Sequence, residues 1–299
     1  MAPSASAKQK RNWFSVLLML LYIISFLVLA YYFIHGIDFY TTSLAERPHH
    51  TDYRHWKPGG IIGHGFGMIG SFFMILLLLY SIRKRSSHLS RFGSIGKWLN
   101  VHIFLGINGP LFIILHSTFK FDGLVSVSFW SMIAVAASGI IGRYLYIQIP
   151  RNIDGHELSL DQVEKNYQTL STELADNYNI NLHESQRISK IMEKPVENHK
   201  SVTGTFFMLA RGDLMRPLRL LKLKHYLKRK FQLSQDEIKE ITEVIKRRTL
   251  LERRIRFWSG IHKLFHYWHV FHKPFAVIMY LIMLVHIGVS IWLGYTWIF

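Results

Sequence analysis

The chain has 299 residues, is 49% hydrophobic and 14% aromatic, and carries a formal net charge of +17. Apolar runs this long make the excess of lysine and arginine a membrane-side charge rather than a nucleic-acid footprint, so no nucleic-acid partner is expected. There is no cysteine, which excludes thiolate-held iron–sulfur clusters, thiolate-ligated or covalently attached haem, and disulfides.

Residues 1–12 are small, polar and basic and read as a frayed tail on the cytoplasmic side. Residues 13–147 hold four apolar runs, at 13–35, 60–82, 99–119 and 123–147, each long enough for a spanning helix of about 20 residues. The first follows Lys8, Lys10 and Arg11, as a signal peptide does. It is too long for an ordinary h-region and has no small-residue cleavage site, so it is expected to stay as an uncleaved helix. The following loop balances Arg47, Arg54 and Lys57 with Asp38, Glu46 and Asp52, and its His49, His50 and His55 are expected to face solvent.

The second run opens GGIIGHGFGMIG. Its Gly65-x-Gly67-x-x-Gly70 matches the dinucleotide fingerprint in letters only, because a long apolar run follows and no βαβ unit surrounds it. Small residues at these positions suit close approach of a neighbouring helix or of a flat ligand. Residues 83–97 carry Arg83, Lys84, Arg85, Arg91 and Lys97 without an acid, so this connection is expected inside the cell.

The third run, LNVHIFLGINGPLFIILHSTF, contains His102 and His116, fourteen residues apart. On a helix that separation is about 21 Å and about 1,400°, close to four whole turns, so both imidazoles share one face. The fourth run returns inside at Gly142-Arg143-Tyr144. Residues 148–271 form a basic, helical cytoplasmic segment; between 150 and 271 there are 22 Lys and Arg against 15 Asp and Glu, net +7. One amphipathic helix is expected from Ser159. A second starts at Ser234 with a capping box to Glu237. Its Ile238, Ile241, Ile245, Ile255 and Trp258 make a stripe among many arginines, which predicts a helix lying on the anionic inner surface of the membrane. The last span occupies residues 272–299, with Pro274 in its first turn and Trp292, Tyr295 and Trp297 as an interfacial belt. It repeats the histidine spacing, with His272 and His286 again fourteen apart.

Histidine within a bilayer is uncommon and usually functional. Two helices with two histidines each, running in the same direction across the membrane, place His102 with His272 at the inner level and His116 with His286 at the outer level. That arrangement suits two b-type haems, each iron taking one imidazole from each helix. The expected fold is therefore an all-α membrane protein whose five transmembrane helices form a haem-binding bundle, with a helical cytoplasmic insertion between the fourth and fifth. His269 is the alternative inner ligand, at a spacing of seventeen from His286, and His64 an alternative outer one or a quinol contact. Gly106 and Gly109 on the third helix and Gly63 and Gly67 on the second would clear space for a porphyrin face. Arg143 and Lys97 would pair with propionates or act as ordinary positive-inside anchors. His262 and His266 read as an interfacial histidine face.

On His102, His116, His272 and His286 the chain resembles membrane dihaem cytochromes b. It looks like the transmembrane domain of ferric reductases and NADPH oxidases, and in ligand spacing it is similar to the cytochrome b of quinol-oxidising bc complexes. The resemblance implies haem iron as the metal and no catalytic residue in the hydrolytic sense. No flavin or nicotinamide domain is expected behind the fifth helix, and no PEW-type quinol motif stands in these 299 residues. The expectation is thus an electron-transfer subunit of an oxidoreductase complex. Its partners would be the lipid bilayer, a separate flavin or iron–sulfur redox protein on the cytoplasmic side, and an outer-side carrier or quinone. A bacterial inner membrane is the expected location, with the N-terminus cytoplasmic and the C-terminus outside. The alternatives are a quinone-reactive membrane anchor and, in another class, a haem-free transporter or scaffold whose histidines bind a metal or relay protons.

Overall fold

The computed structural model describes residues 13–86, 88–152, 157–178, 180–193, 201–231 and 233–295. Among these the chain is all-α. Its helices are α1 (Trp13–His35), α2 (Ile37–Thr41), α3 (Tyr53–Trp56), α4 (Ile61–Arg85), α5 (Ile95–Ser117), α6 (Leu124–Gln148), α7 (Leu160–Tyr178), α8 (Leu182–Met192), α9 (Val202–Leu214), α10 (Arg216–Phe231), α11 (Gln235–Arg256) and α12 (Trp258–Trp292). The only β pairing described is an isolated bridge between Arg151 and Glu157. The basic tail before Trp13 and the belt residue Trp297 lie outside the described residues.

Two compact units emerge: Met1–Gly139 with His272–Phe299, and Ile140–Phe271. The first contains α1, α4, α5, most of α6 and most of α12. Among the described residues, five helices are long and apolar enough to cross a membrane. Their outward faces carry large apolar side chains, such as Phe26 at 67%, Phe72 at 58% and Leu281 at 61% exposure. Helix α1 buries only Leu29 among its described residues. Leaving that much apolar surface in water would cost about 25 cal/mol per Å². A lipid environment removes the cost, and closed helices satisfy their own backbone groups there. The chain is an integral membrane protein.

Within this unit α4 and α5 pack along most of their length because glycine removes the side chain at the crossing. A Cβ on Gly70 would lie 2.7 Å from Ile113, and one on Gly109 would lie 2.9 Å from the Met74 sulfur. Around them Met74, Leu77, Phe104, Leu105, Phe129, Met132 and Met279 form one core, and Leu29, Phe39, Tyr40, Trp56, Phe66, Phe112 and Leu115 a second. Ser128 donates to the Met279 carbonyl (3.0 Å) and Tyr280 to the Met74 carbonyl (2.6 Å), tying α12 to α6 and α4.

The last helix differs from the sequence expectation. It begins at Trp258, fourteen residues before His272, and Pro274 lies in its interior rather than in its first turn. Proline deprives the helix of one N–H, at the Val270 carbonyl. The long helical run on either side tolerates that single loss.

The unit Ile140–Phe271 gathers α7, α8, α10 and α11 around Leu174, Ile188, Leu223, Leu227, Ile241 and Ile245. Ser234 caps α11 with the expected box: its hydroxyl accepts from the Glu237 N–H, and Glu237 accepts from the Ser234 N–H. The reading of α11 as a helix resting on lipid is corrected. Ile238, Ile241 and Ile245 are 4%, 2% and 0% exposed and fill the core of this unit. Two of its arginines turn inward as well. Arg248 donates to the Tyr167 hydroxyl (2.8 Å) and the Ser171 hydroxyl (2.9 Å), and Arg253 to Asp213 (2.6 Å).

Candidate functional site

The histidine pairs expected to share helices do so: His102 and His116 lie on α5, and His272 and His286 on α12. All four rings are half-buried. The rings of His116 and His286 face each other across the two helices, centroids 6.4 Å apart and planes at 61°. A single metal ion bound by both Nε2 atoms, at about 2.0–2.1 Å each with the ring centre about 1.1 Å further back, spans about 6.3 Å. The separation of this pair therefore fits two imidazoles that would share one metal ion.

Hydrogen bonding fixes which nitrogen is left for such a role. His116 Nδ1 lies 2.8 Å from the Gly63 carbonyl oxygen, and His102 Nδ1 lies 3.3 Å from that of Leu77. A carbonyl only accepts, so Nδ1 carries the proton in both rings and Nε2 keeps its lone pair. His272 Nδ1 lies 2.8 Å from the Ser138 hydroxyl oxygen. That hydroxyl already donates its one proton to the Val135 carbonyl (2.9 Å), so it accepts from His272. Three of the four rings are thus the same tautomer, with Nε2 the unprotonated nitrogen. Orientation through Nδ1 by a carbonyl or hydroxyl is how metal-bound imidazoles are usually positioned.

The glycines serve these contacts. Gly63 supplies the carbonyl. A Cβ on Gly67 would meet the His116 ring at 2.6 Å, so the missing side chain makes room for the imidazole itself. Gly109 faces Met74, whereas Gly106 has only Leu77 at an ordinary 3.7 Å. His64 lies near enough to interact electrostatically with both His116 and His286. His269 belongs to the other unit; its Nδ1 donates to the Phe265 carbonyl one turn back (2.8 Å), and its ring packs on Phe265 and Trp268. Lys97 sits over the Phe14 ring and Arg143 over the Tyr146 ring. His262 pairs with the Glu157 carboxylate (2.5 Å) rather than standing in an unpaired histidine face. Among the described residues no three His, Asp or Glu side chains converge as a direct metal cluster.

Two parts of the site had no signal in the sequence. Tyr80 places its ring 4.9 Å from that of His102. The loop after α1 folds over the end of α5, where the buried Arg47 donates to the Tyr40 (2.6 Å), Thr42 (3.0 Å) and Thr118 carbonyls. Thr118 and Phe119, just past His116, both adopt left-handed backbone (φ 50° and 60°) without being glycine. Such strain persists only where surroundings enforce it, and here Arg47 holds the Thr118 carbonyl while Ser117 Oγ accepts from the Phe119 N–H. Burial pushes the nearby Tyr40 phenol up to about 12 against the opposing pull of Arg47's charge, so Tyr40 stays neutral. A lone arginine in a charge-balanced loop reads as solvated; only the fold shows it buried.

No family model, curated protein or solved structure matches this chain.

Proposed function

We propose that this chain is a dihaem b-type cytochrome subunit that conducts electrons across a membrane, between a cytoplasmic-side flavin or iron–sulfur partner and an outer-side carrier or quinone. The observation that carries the reading is the facing of His116 and His286 at 6.4 Å, on helices that each repeat a histidine after fourteen residues. When bound, bis-imidazole haem supplies one-electron redox chemistry. The chain's own residues do the rest. His116 and His286 would hold the outer group, and His102 and His272 the inner one. Gly63, Leu77 and Ser138 keep the proton on Nδ1, and the apolar helices exclude water. Levels about 21 Å apart along the helices fit transfer between two centres in one bilayer. The acid-free basic connection from Arg83 to Lys97 is assigned to the inside. With it the N-terminus lies inside and the C-terminus outside, in a bacterial inner membrane.

The test is the visible spectrum of the purified chain, with haem counted per polypeptide. Two low-spin haems are expected, and each of His102→Ala, His116→Ala, His272→Ala and His286→Ala should remove one. Purified chain that takes up no haem and shows no Soret band overturns the reading.

His64, one turn into α4 and within electrostatic reach of the outer pair, suits one variant, in which the subunit is a quinone-reactive anchor and His64 meets the quinol headgroup. Its mark is quinol-dependent haem reduction that His64→Ala abolishes while haem content holds at two.

A further inference from the structure

The structure removes α11 from the membrane surface and leaves a different helix with the matching pattern. In α10 and the end of α9, Phe207, Leu214, Leu218 and Leu221 are 70%, 78%, 53% and 65% exposed. At 100° per residue Leu218 and Leu221 lie about 60° apart around the α10 axis, with His225 between them, and Leu214 precedes them at the end of α9. Leu223 and Leu227, on the far side, are fully buried in the unit's core. This face is therefore surplus to the packing of its own unit.

Its flanks are basic. On α10, Lys222 and Arg229 lie about 20–40° beyond Leu218 on one side, and Lys224 and Lys228 about 20–60° beyond Leu221 on the other. From Leu214 to Ser234 there is no acidic residue. Arg216, Arg219 and Lys230 are engaged within the unit, on the Lys246 and Met192 carbonyls and on Glu184. Lys222, Lys224, Lys228 and Arg229 are exposed and form no ion pair with another described residue. An apolar strip between two rows of cations, on a chain already anchored in a bilayer, matches an anionic leaflet. Leucines enter the acyl boundary while the lysine stems spread and their ammonium groups reach the headgroups.

We propose that the exposed face of α10 docks on the anionic lipid surface of the membrane that holds the protein, with Leu218 and Leu221 inserted and Lys222, Lys224, Lys228 and Arg229 on the headgroups. This does not depend on what the four histidines bind.

The natural chain has no cysteine, so one introduced by Leu218→Cys takes a single environment-sensitive fluorophore in the full-length protein. The protein is reconstituted in vesicles of neutral lipid or of neutral lipid with about 30% phosphatidylglycerol, each with and without quencher-bearing acyl chains. A label at Lys239→Cys, on the exposed side of α11, is the reference. Expected is several-fold stronger acyl-chain quenching at position 218 in the anionic vesicles than in the neutral ones, with no such change at 239. The triple variant Lys222→Glu, Lys224→Glu, Lys228→Glu, altered only at exposed positions, should lose that difference. Equal quenching of 218 in both vesicles overturns the proposal. So does shielding that rises with protein density rather than anionic lipid, which marks a second copy. Shielding that appears only on addition of an acidic protein also overturns it.

Discussion

Gly63 and Leu77 lie fourteen residues apart on α4 (77 − 63), and their carbonyl oxygens accept the Nδ1–H of His116 and His102, themselves fourteen apart on α5. The two helices run antiparallel in register, so the histidine repeat is matched by a repeat of backbone acceptors. Neither acceptor depends on a side chain, so no residue type advertises it. The relationship makes α4 the element that orients both imidazoles of α5.

Gly67 is the position where that orientation is most easily broken. A methyl group there would sit 2.6 Å from His116 Nδ1, well inside contact distance. Gly67→Ala should displace the ring and, on the proposed reading, leave one haem per chain instead of two, with the inner haem retained. Gly106→Ala, whose new methyl would meet only Leu77 at 3.7 Å, should keep both. Haem-to-protein ratio and low-temperature electron paramagnetic resonance distinguish the outcomes.

Ser138 accepts the Nδ1–H of His272. Loss of a group that orients a ligand typically weakens metal affinity about ten- to a hundred-fold. Ser138→Ala should therefore lower retention of the inner haem and shift its midpoint potential, while Ser138→Thr, which restores the hydroxyl, should recover both. Potentiometric titration of each haem is the measurement.

Removing Arg47 would leave the Tyr40, Thr42 and Thr118 carbonyls without their donor and release the strained turn after His116. Arg47→Ala should destabilise the protein by about 2–4 kcal/mol, seen as a lower unfolding temperature in detergent. Arg47→Lys keeps the charge but not the planar fork and should fall between.

Arg253 sits between two carboxylates that respond to pH in opposite senses. Burial raises Asp213, but the charge and hydrogen bond of Arg253 and bonds from Tyr144 and Gln148 outweigh it, and the group ends below its usual 3.8. The ionised Asp213 thus adds stability above its unfolded value, and that stability is lost as pH falls through the lower folded value. Burial raises Glu193 above its usual 4.5 despite Arg253 and Arg256. Its favourable contribution is complete below the unfolded value and is lost as pH rises through the folded one. At pH 7 Asp213→Asn should be less stable than the natural chain and Glu193→Gln more stable. Both differences should shrink toward acid, in unfolding curves taken from pH 3 to 8.

Much of this was legible in the residues. The span at 13–35 coincides with α1, and the next three agree with α4, α5 and α6 to within a few residues at each end, because apolar length is a one-dimensional property. Helix α12 was read short. HKLFHYWHVFHKP looks interfacial and Pro274 looks like a first-turn proline, whereas a proline inside a long helix costs one backbone bond. The stripe of α11 was periodic as expected, but periodicity does not say whether lipid or protein covers it. Leu223 and Leu227 of α10 cover Ile241 and Ile245 there. For the site, the spacing of His102, His116, His272 and His286 was readable. Ser138, the carbonyls of Gly63 and Leu77, and the burial of Arg47 were not, because each acquires its role only from a neighbour distant in the chain.

The antiparallel pairing of α4 with α5 also bears on biogenesis. Both helices leave the ribosome long before α12 does. On the proposed reading the nascent hairpin would carry two of the four imidazoles, and membrane insertion of the final helix would be the step that brings the other two to them.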